Sequence, residues 1–396
     1  MKVYLDNAAT TALDREAIQA MLPYFSEEMG NAQSVHSFGR RAKAAVEQAR
    51  RQVASLINSD PTEIIFLSGG TEADNLAIRG AALGASGRHI ITTRIEHPAV
   101  LATCQSLERD GFRVTYLQVD EDGRVKVESV RDAIESDTSL ISIMHANNET
   151  GALQPIEEIG RVIAQSRASG FEHLRFHTDA VQSVGKMAID VDRLGVDLLS
   201  ISAHKFHGPK GVGALYVRKG VRLAKLLYGG HHERDRRPGT ENVAGIVGLG
   251  KAAELARVED MTRVRALRDW FESEVSARVP DVKINAVAAE RLPNISNITF
   301  RRIDGEALLI ALDLRGIAAS TGSACSSGSV EPSHVLTAMG LSRKDVLASL
   351  RFSLSRETTR EELDYTLRAI GEIVPHLRLV SEEDGIEMGL PVESRS

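Results

Sequence analysis

From about residue 60 to residue 220, short β-branched or apolar runs alternate with segments of helical period. That alternation restricts the fold more than any other feature of the chain. Runs at 64–67, 90–93, 113–118, 140–145, 174–177 and 197–202 read as strands, with helices at 72–82, 99–109 and 156–168 between several of them. Such a pattern predicts an α/β architecture: a largely parallel sheet covered by helices, with ligands at the C-terminal ends of the strands. Polar residues gather at those ends, in Ser68-Gly69-Gly70-Thr71, His145-Ala146-Asn147-Asn148 and Thr178-Asp179. After about residue 258 the pattern changes. A helix at 261–279 carries the only tryptophan, Trp270, expected in the core. A strand at 295–300, a helix at 305–314, a small-residue loop around Cys325, a strand at 350–354 and a helix at 360–377 follow, predicting a second, smaller α+β domain. Residues 381–396 are acidic and weakly periodic; a frayed tail is expected there, with partner docking as the alternative.

Composition narrows the class. The chain has 396 residues, 42% hydrophobic and 26% charged, as in ordinary globular proteins, and it is long enough for about two domains. A net charge of −6 argues against a broad nucleic-acid surface, which is normally basic. Two cysteines leave no disulfide framework and no all-cysteine iron–sulfur cluster within one chain. No apolar run approaches the ~18 residues of a membrane span. The start, Met1-Lys2-Val3-Tyr4-Leu5-Asp6, lacks the charged-then-apolar pattern of an export signal. A cytoplasmic location, with no membrane or direct nucleic-acid partner, is the expectation.

Chemistry concentrates in Ser200-Ile201-Ser202-Ala203-His204-Lys205-Phe206-His207-Gly208-Pro209-Lys210-Gly211. A lysine at the end of a buried strand, among hydroxyls, an imidazole and glycines, suits Schiff-base attachment of an aldehyde cofactor; the bland alternative is a solvated loop charge. His204 and His207 do not by themselves make a metal site, which needs three or four ligands and supporting groups. Pyridoxal phosphate (PLP) must be held at its phosphate, its ring nitrogen and its phenolic oxygen. Gly69-Gly70-Thr71, between a strand and a helix, offers free N–H groups and the helix dipole to an anion, or is a plain capped turn. Asp179, one crossover before Lys205, can hold a pyridinium, since a buried carboxylate is costly without a cation; it can equally be a helix cap. Gln182 and Asn148 are donors for the phenolic oxygen, and His97, before Pro98, can stack on the ring or be a satisfied loop histidine. Cys104 sits at helical spacing with Val100 and Leu107 and reads as core. Cys325, in a Gly/Ser loop, reads as a nucleophile if its pKa favours thiolate. Arg351 interrupts an apolar strand, where a guanidinium can grip a substrate carboxylate or form a structural ion pair.

Taken together, these segments resemble the cysteine desulfurases of the NifS/IscS type, first group, class-V aminotransferase-like enzymes of PLP fold type I. The resemblance covers nearly the whole chain. It runs through Tyr4-Leu5-Asp6-Asn7-Ala8-Ala9-Thr10-Thr11, Ser68-Gly69-Gly70-Thr71-Glu72 and Glu96-His97-Pro98. It continues through His145-Ala146-Asn147-Asn148-Glu149-Thr150-Gly151, His177-Thr178-Asp179-Ala180-Val181-Gln182 and Ser202-Ala203-His204-Lys205. It ends with Arg237-Pro238-Gly239-Thr240-Glu241-Asn242, Gly322-Ser323-Ala324-Cys325 and Arg351-Phe352-Ser353-Leu354.

The resemblance implies a mostly parallel seven-stranded sheet in a large PLP-binding domain, 15–258. A smaller domain of 1–14 and 259–396 would carry the Cys325 loop. It implies Lys205 as the cofactor-bearing lysine, Asp179 under the ring nitrogen, Gln182 and Asn148 at the phenolic oxygen and His97 stacked on the ring. The phosphate would be held by Gly70, Thr71, Ser202 and His204, with Thr240 reaching in from a second subunit of a homodimer. Arg351, Asn148 and Asn31 would hold the L-cysteine substrate, His97 would shuttle a proton, and Cys325 would accept sulfur as a persulfide for an acceptor such as an iron–sulfur scaffold protein. Selenocysteine lyase activity and a docking scaffold with secondary catalysis are the rival readings. Two departures stand out. Residues 31–34 read Asn-Ala-Gln-Ser where the family usually has Asn-Pro-Ser-Ser, and His231 and Asp235 stand where glycines are common. The second departure bears on the path of the loop leading to Thr240.

Overall fold

The computed structural model describes residues 1–321 and 332–387. Its centre is a seven-stranded sheet of β1 (Ile64–Leu67), β2 (His89–Thr93), β3 (Arg113–Leu117), β4 (Thr138–Ser142), β5 (Arg175–Asp179), β6 (Leu198–Ser202) and β7 (Gly213–Val217), ordered β1-β7-β6-β5-β4-β2-β3. All neighbours are parallel except β7, which is antiparallel to both β1 and β6. β1 and β6 therefore run in the same direction, and their C-terminal ends share one edge.

Side chains alternate across a strand, and here both faces are apolar. Ile64, Phe66, Phe176, Leu199 and Ile201 pack with the helices Ser37–Leu56, Ile156–Ala168 and Val243–Leu255 on one face. Ile65, Leu67, Leu140, Leu198 and Leu215 pack with Gly70–Gly84 and Pro98–Arg109 on the other. Burial on both sides explains the near-continuous hydrophobic runs. β7 was absent from the strand pattern read above; it follows Gly208-Pro209-Lys210-Gly211 and merges with that loop in the sequence. β5 extends two residues beyond its expected end and includes Asp179, whereas β4 stops at Ser142 and leaves His145 on the loop.

A second layer holds a three-stranded antiparallel sheet of β8 (Val282–Ile284), β9 (Ile295–Phe300) and β10 (Ser349–Ser353), with β9 central. Its core joins Phe271, Ile298, Phe300, Leu308, Phe352 and Ile370 to Val3 and Leu5 of the N-terminal segment. Trp270 is only partly buried, at the edge of this core, contrary to expectation. The Arg360 guanidinium lies 3.2 Å from its ring centroid, a cation–π contact that suits a ring with one face toward solvent. The last helix, Arg360–Glu387, runs past residue 381, where fraying was expected. Cys104 is fully buried, as expected, and burial pushes its thiol up to about 12. Among the described residues no helix is long and apolar enough to cross a membrane.

Candidate active site

The shared edge of β1, β6 and β7 forms one wall. Leu67 and Ser202 both pair with Gly213. A Cβ on Gly213 would lie 2.5 Å from Ile201 O and 2.8 Å from Gly69 Cα, so only glycine lets these three backbones meet. The helix Gly70–Gly84 starts here with no side-chain cap on its N-terminus. A Cβ on Gly70 would stand 2.9 Å from Val181 Cγ2 and 3.5 Å from Ser202 Cβ. The uncapped N–H groups and the buried Ser202 thus meet at one helix N-terminus, a setting that suits an anion.

Lys205 ends a short 3-10 turn after β6. Its Nζ donates to Ala8 O and Ala9 O, both at 2.8 Å. Burial, then the nearby Arg351 charge, pull its pKa down to about 8, against the opposing pull of Asp179 and Asp6. The N-terminal segment is stitched to this turn: Thr11 N donates to His204 O at 2.9 Å, His207 N donates to Thr11 Oγ1 at 2.8 Å, and His204 Nδ1 lies 3.1 Å from Thr10 Oγ1. His207 Nδ1 meets Ala12 O at 3.0 Å. The two histidines that invite a metal reading are thereby committed to fastening the segment.

Asp179 ends β5, and its Oδ1 accepts the Val181 N–H at 2.9 Å. The bond holds a turn, since no helix starts there, and the residue also lies close enough to Lys205 to feel its charge. Burial raises its pKa, while His97 and Lys205 oppose the rise. Gln182, in the following turn, donates from Nε2 to Ala8 O at 2.9 Å, the carbonyl that also receives Lys205. His97 caps the helix Pro98–Arg109, its Nδ1 accepting from Ala99 N at 3.1 Å, so the proton of the neutral ring sits on Nε2. Burial lowers its pKa, and Lys205 and His334 add to this.

Arg351 lies in β10, 4% exposed. Its Nη2 donates to Asp6 Oδ1 at 2.7 Å and its Nη1 to Asn148 O at 2.9 Å, while its Nε has no hydrogen-bond partner among the described residues. The ion-pair alternative is realised, and a buried donor is left over. Asn31 and Thr240 are exposed and belong to a second group, linked by Gln33 Nε2 donating to Glu241 Oε1 at 2.6 Å. The loop before Thr240 runs through three left-handed residues, Glu233, Arg234 and Asp235, at φ 46°, 56° and 68°. Glycine is favoured at such angles, which accounts for the glycine common at position 235. Here Arg50 grips both oxygens of Glu233, at 2.7 and 2.8 Å, and fixes the loop. Cys325 lies outside the described residues.

Sequence reasoning missed the roles of Ala8 and Ala9, which contribute only carbonyl oxygens, and of Lys186 and Glu96, which are buried beside the site. A backbone acceptor carries no side-chain signal. Glu96 lies three residues beyond β2, among Arg94, Ile95 and His97, where nothing local announces its burial. Thr93 Oγ1 and Met144 N donate to it, and burial raises its pKa to about 8.

An α/β sheet with a lysine, an aspartate and an anion-binding helix end at one edge defines a PLP-type transferase scaffold. The aminotransferase class-V family model matches residues 3–366. Over 385 residues the chain is 50% identical to the cysteine desulfurase IscS of Dictyoglomus turgidum, covering 96% of each chain. A solved NifS-like protein superposes with a TM-score of 0.88 at 39% identity, covering 95% of this chain and 100% of the other. A structure of SspA in complex with cysteine superposes with a TM-score of 0.80 at 38% identity, covering 90% and 100%. The chain belongs to the aminotransferase class-V family and, within it, to the cysteine desulfurases, whose members depend on PLP.

Proposed function

We propose that this chain binds PLP through Lys205 and, as a homodimer, converts L-cysteine to L-alanine while passing sulfur to Cys325 for a protein acceptor such as an iron–sulfur scaffold. The observation that carries the reading is the convergence of Lys205 and Gln182 on the Ala8 carbonyl, with Asp179 and Ser202 ending the two strands beside them. The donor set fits the cofactor. The Gly70 position is crowded by Val181, the helix N-terminus is open, and Asp179 is a buried carboxylate with no ion-pair partner within 4 Å among the described residues. Ser202, His204 and Thr71 would hold the phosphate with Gly70, and Thr240 would come from the second subunit. Asn148 and Gln182 would meet the phenolic oxygen, with His97 over the ring. The site residues work from the large domain, 15–258, against the smaller one, 1–14 with 259–396. We read the enzyme as cytoplasmic.

When bound, the cofactor supplies an electron sink for breaking bonds at the α-carbon of an amino acid. Asp179 holds the proton on the ring nitrogen that makes the sink effective. Arg351 would bind the substrate carboxylate through Nε, which has no partner among the described residues, with Asn148 beside it; Asn31, in the separate exposed group, would have to reach the substrate from there. Lys205, with a pKa near 8, is in part a free amine at neutral pH and takes the α-proton. His97 relays a proton through Nε2. The Cys325 thiolate attacks the substrate sulfur; the S–S bond forms as the C–S bond breaks, its electron pair stays with the carbon fragment, and protonation of that fragment completes alanine. No external oxidant or reductant is required. The test is the absorbance of PLP-loaded protein before and after L-cysteine, with alanine and sulfide assayed for wild type and Cys325→Ala. A visible band that cysteine perturbs in both, with turnover only in wild type, is expected. A wild type without a band overturns the cofactor reading.

A further inference from the structure

Lys186 is 6% exposed, and no carboxylate among the described residues lies within ion-pair distance of it. Its Nζ instead turns back on a single residue, donating to Gln182 O at 2.8 Å and to Gln182 Oε1 at 3.4 Å. A buried ammonium with only neutral partners is costly. Burial, then Lys205 and Arg351, lower its pKa to about 7. The backbone that places it is equally constrained. Gly185 stands at φ +77°, and a Cβ there would lie 2.7 Å from Phe206 Cβ. The turn can therefore press against the residue following Lys205 only with glycine at that position. Lys186 and Lys205 both line one small cavity of about 20 Å³.

The carboxamide of Gln182 is held from both ends. Its Oε1 faces the Lys186 donor, so its NH2 group must face the other way, where it meets the Ala8 carbonyl alongside Lys205 Nζ. Lys186 and the Ala8 carbonyl thus fix the same amide orientation from opposite ends, and without Lys186 only Ala8 O, which Lys205 Nζ also uses, distinguishes the two. We propose that Lys186 is a positioning residue for the desulfurase site: by donating to both oxygens of Gln182 it turns the side-chain NH2 toward the space beside Lys205. This rests on the reading that Gln182 serves the phenolic oxygen of PLP. An NH2 donor there favours the anionic oxygen, whereas an Oε1 turned inward disfavours it.

The experiment is a double-mutant cycle read by spectroscopy in the absence of substrate. PLP-loaded wild type, Lys186→Met, Gln182→Leu and the double variant are titrated through pH, and the midpoint of the visible cofactor band is recorded. Loss of one hydrogen bond to a charged oxygen moves such a midpoint by about one unit. Lys186→Met is expected to raise the midpoint by about that much in the wild-type background and to leave it unmoved in the Gln182→Leu background. An equal shift in both backgrounds overturns the proposal, because Lys186 then acts through its charge alone. No shift in either background overturns it as well. Should Lys186→Met fail to fold, Lys186→Leu, which likewise carries no donor, is judged by the same cycle. A wild type with no visible band defeats the cofactor reading, and the proposal falls with it.

Discussion

Arg351 reaches Asp6 across 2.7 Å, joining the edge strand of the small sheet to the N-terminal segment while its own Nε has no partner among the described residues. The pair is a structural anchor, and under the proposed function Nε is the donor that remains for a substrate carboxylate. Lysine at this position keeps the charge and loses the planar fork. Arg351→Lys is expected to raise the KM for L-cysteine by about tenfold or more, the loss of one charge-assisted hydrogen bond, with a smaller effect on kcat. Steady-state kinetics check it; an unchanged KM removes Arg351 from substrate binding.

Capture of PLP by the cofactor-free protein needs the neutral Lys205 amine. Its pKa is depressed from 10.5 to about 8, so the neutral fraction grows about tenfold per pH unit below 8 and levels off above it. The rate of appearance of the visible band after mixing with PLP is expected to follow that curve. A rate still climbing at pH 10 would place the amine in an ordinary environment.

Glu96 offers a stability test with a definite sign. Its pKa is raised by burial from 4.5 to about 8, so the folded state holds a proton that the unfolded state has lost. Its contribution is complete below about pH 4.5 and is lost as pH rises toward 8. His145 and His177 act in the opposite sense, over a lower window. Burial depresses them to about 4 and about 3, so they cost stability only as pH falls below about 6.5. Glu96→Gln is expected to flatten the decline between pH 6.5 and 8 in urea melts, and an unaltered slope contradicts the assignment.

At Gly70 a methyl group would press on Val181 Cγ2 at 2.9 Å, at the mouth of the open helix N-terminus. Gly70→Ala is expected to weaken PLP binding about tenfold, the scale of one lost hydrogen bond to an anion, with the melting temperature of the cofactor-free protein little changed. Titration of the visible band measures the first and calorimetry the second.

Alternation of apolar runs and helical periods announced the layered sheet, because burial on both faces leaves consecutive apolar residues in β1 and β6 and at Leu140-Ile141 of β4. It did not reveal β7, whose antiparallel return is specified by Gly213 meeting two neighbouring strands. Nor did it reveal the exposed face of Trp270, which depends on Arg360 arriving from a helix 90 residues downstream.

The site divides in the same way. Lysine, aspartate, glutamine and the glycine-rich turn were legible by type and spacing, since each announces its chemistry locally. Only tertiary structure could decide that residues near the N-terminus supply the acceptors for Lys205, that Arg351 is shared between Asp6 and the Asn148 carbonyl, and that Lys186 sets the facing of Gln182. Those outcomes depend on which backbone atoms come within 3 Å after the chain has folded back on itself. Because every residue carries the same carbonyl and amide, the sequence by itself determined the reagents, and the packing of distant segments decided how they are aimed.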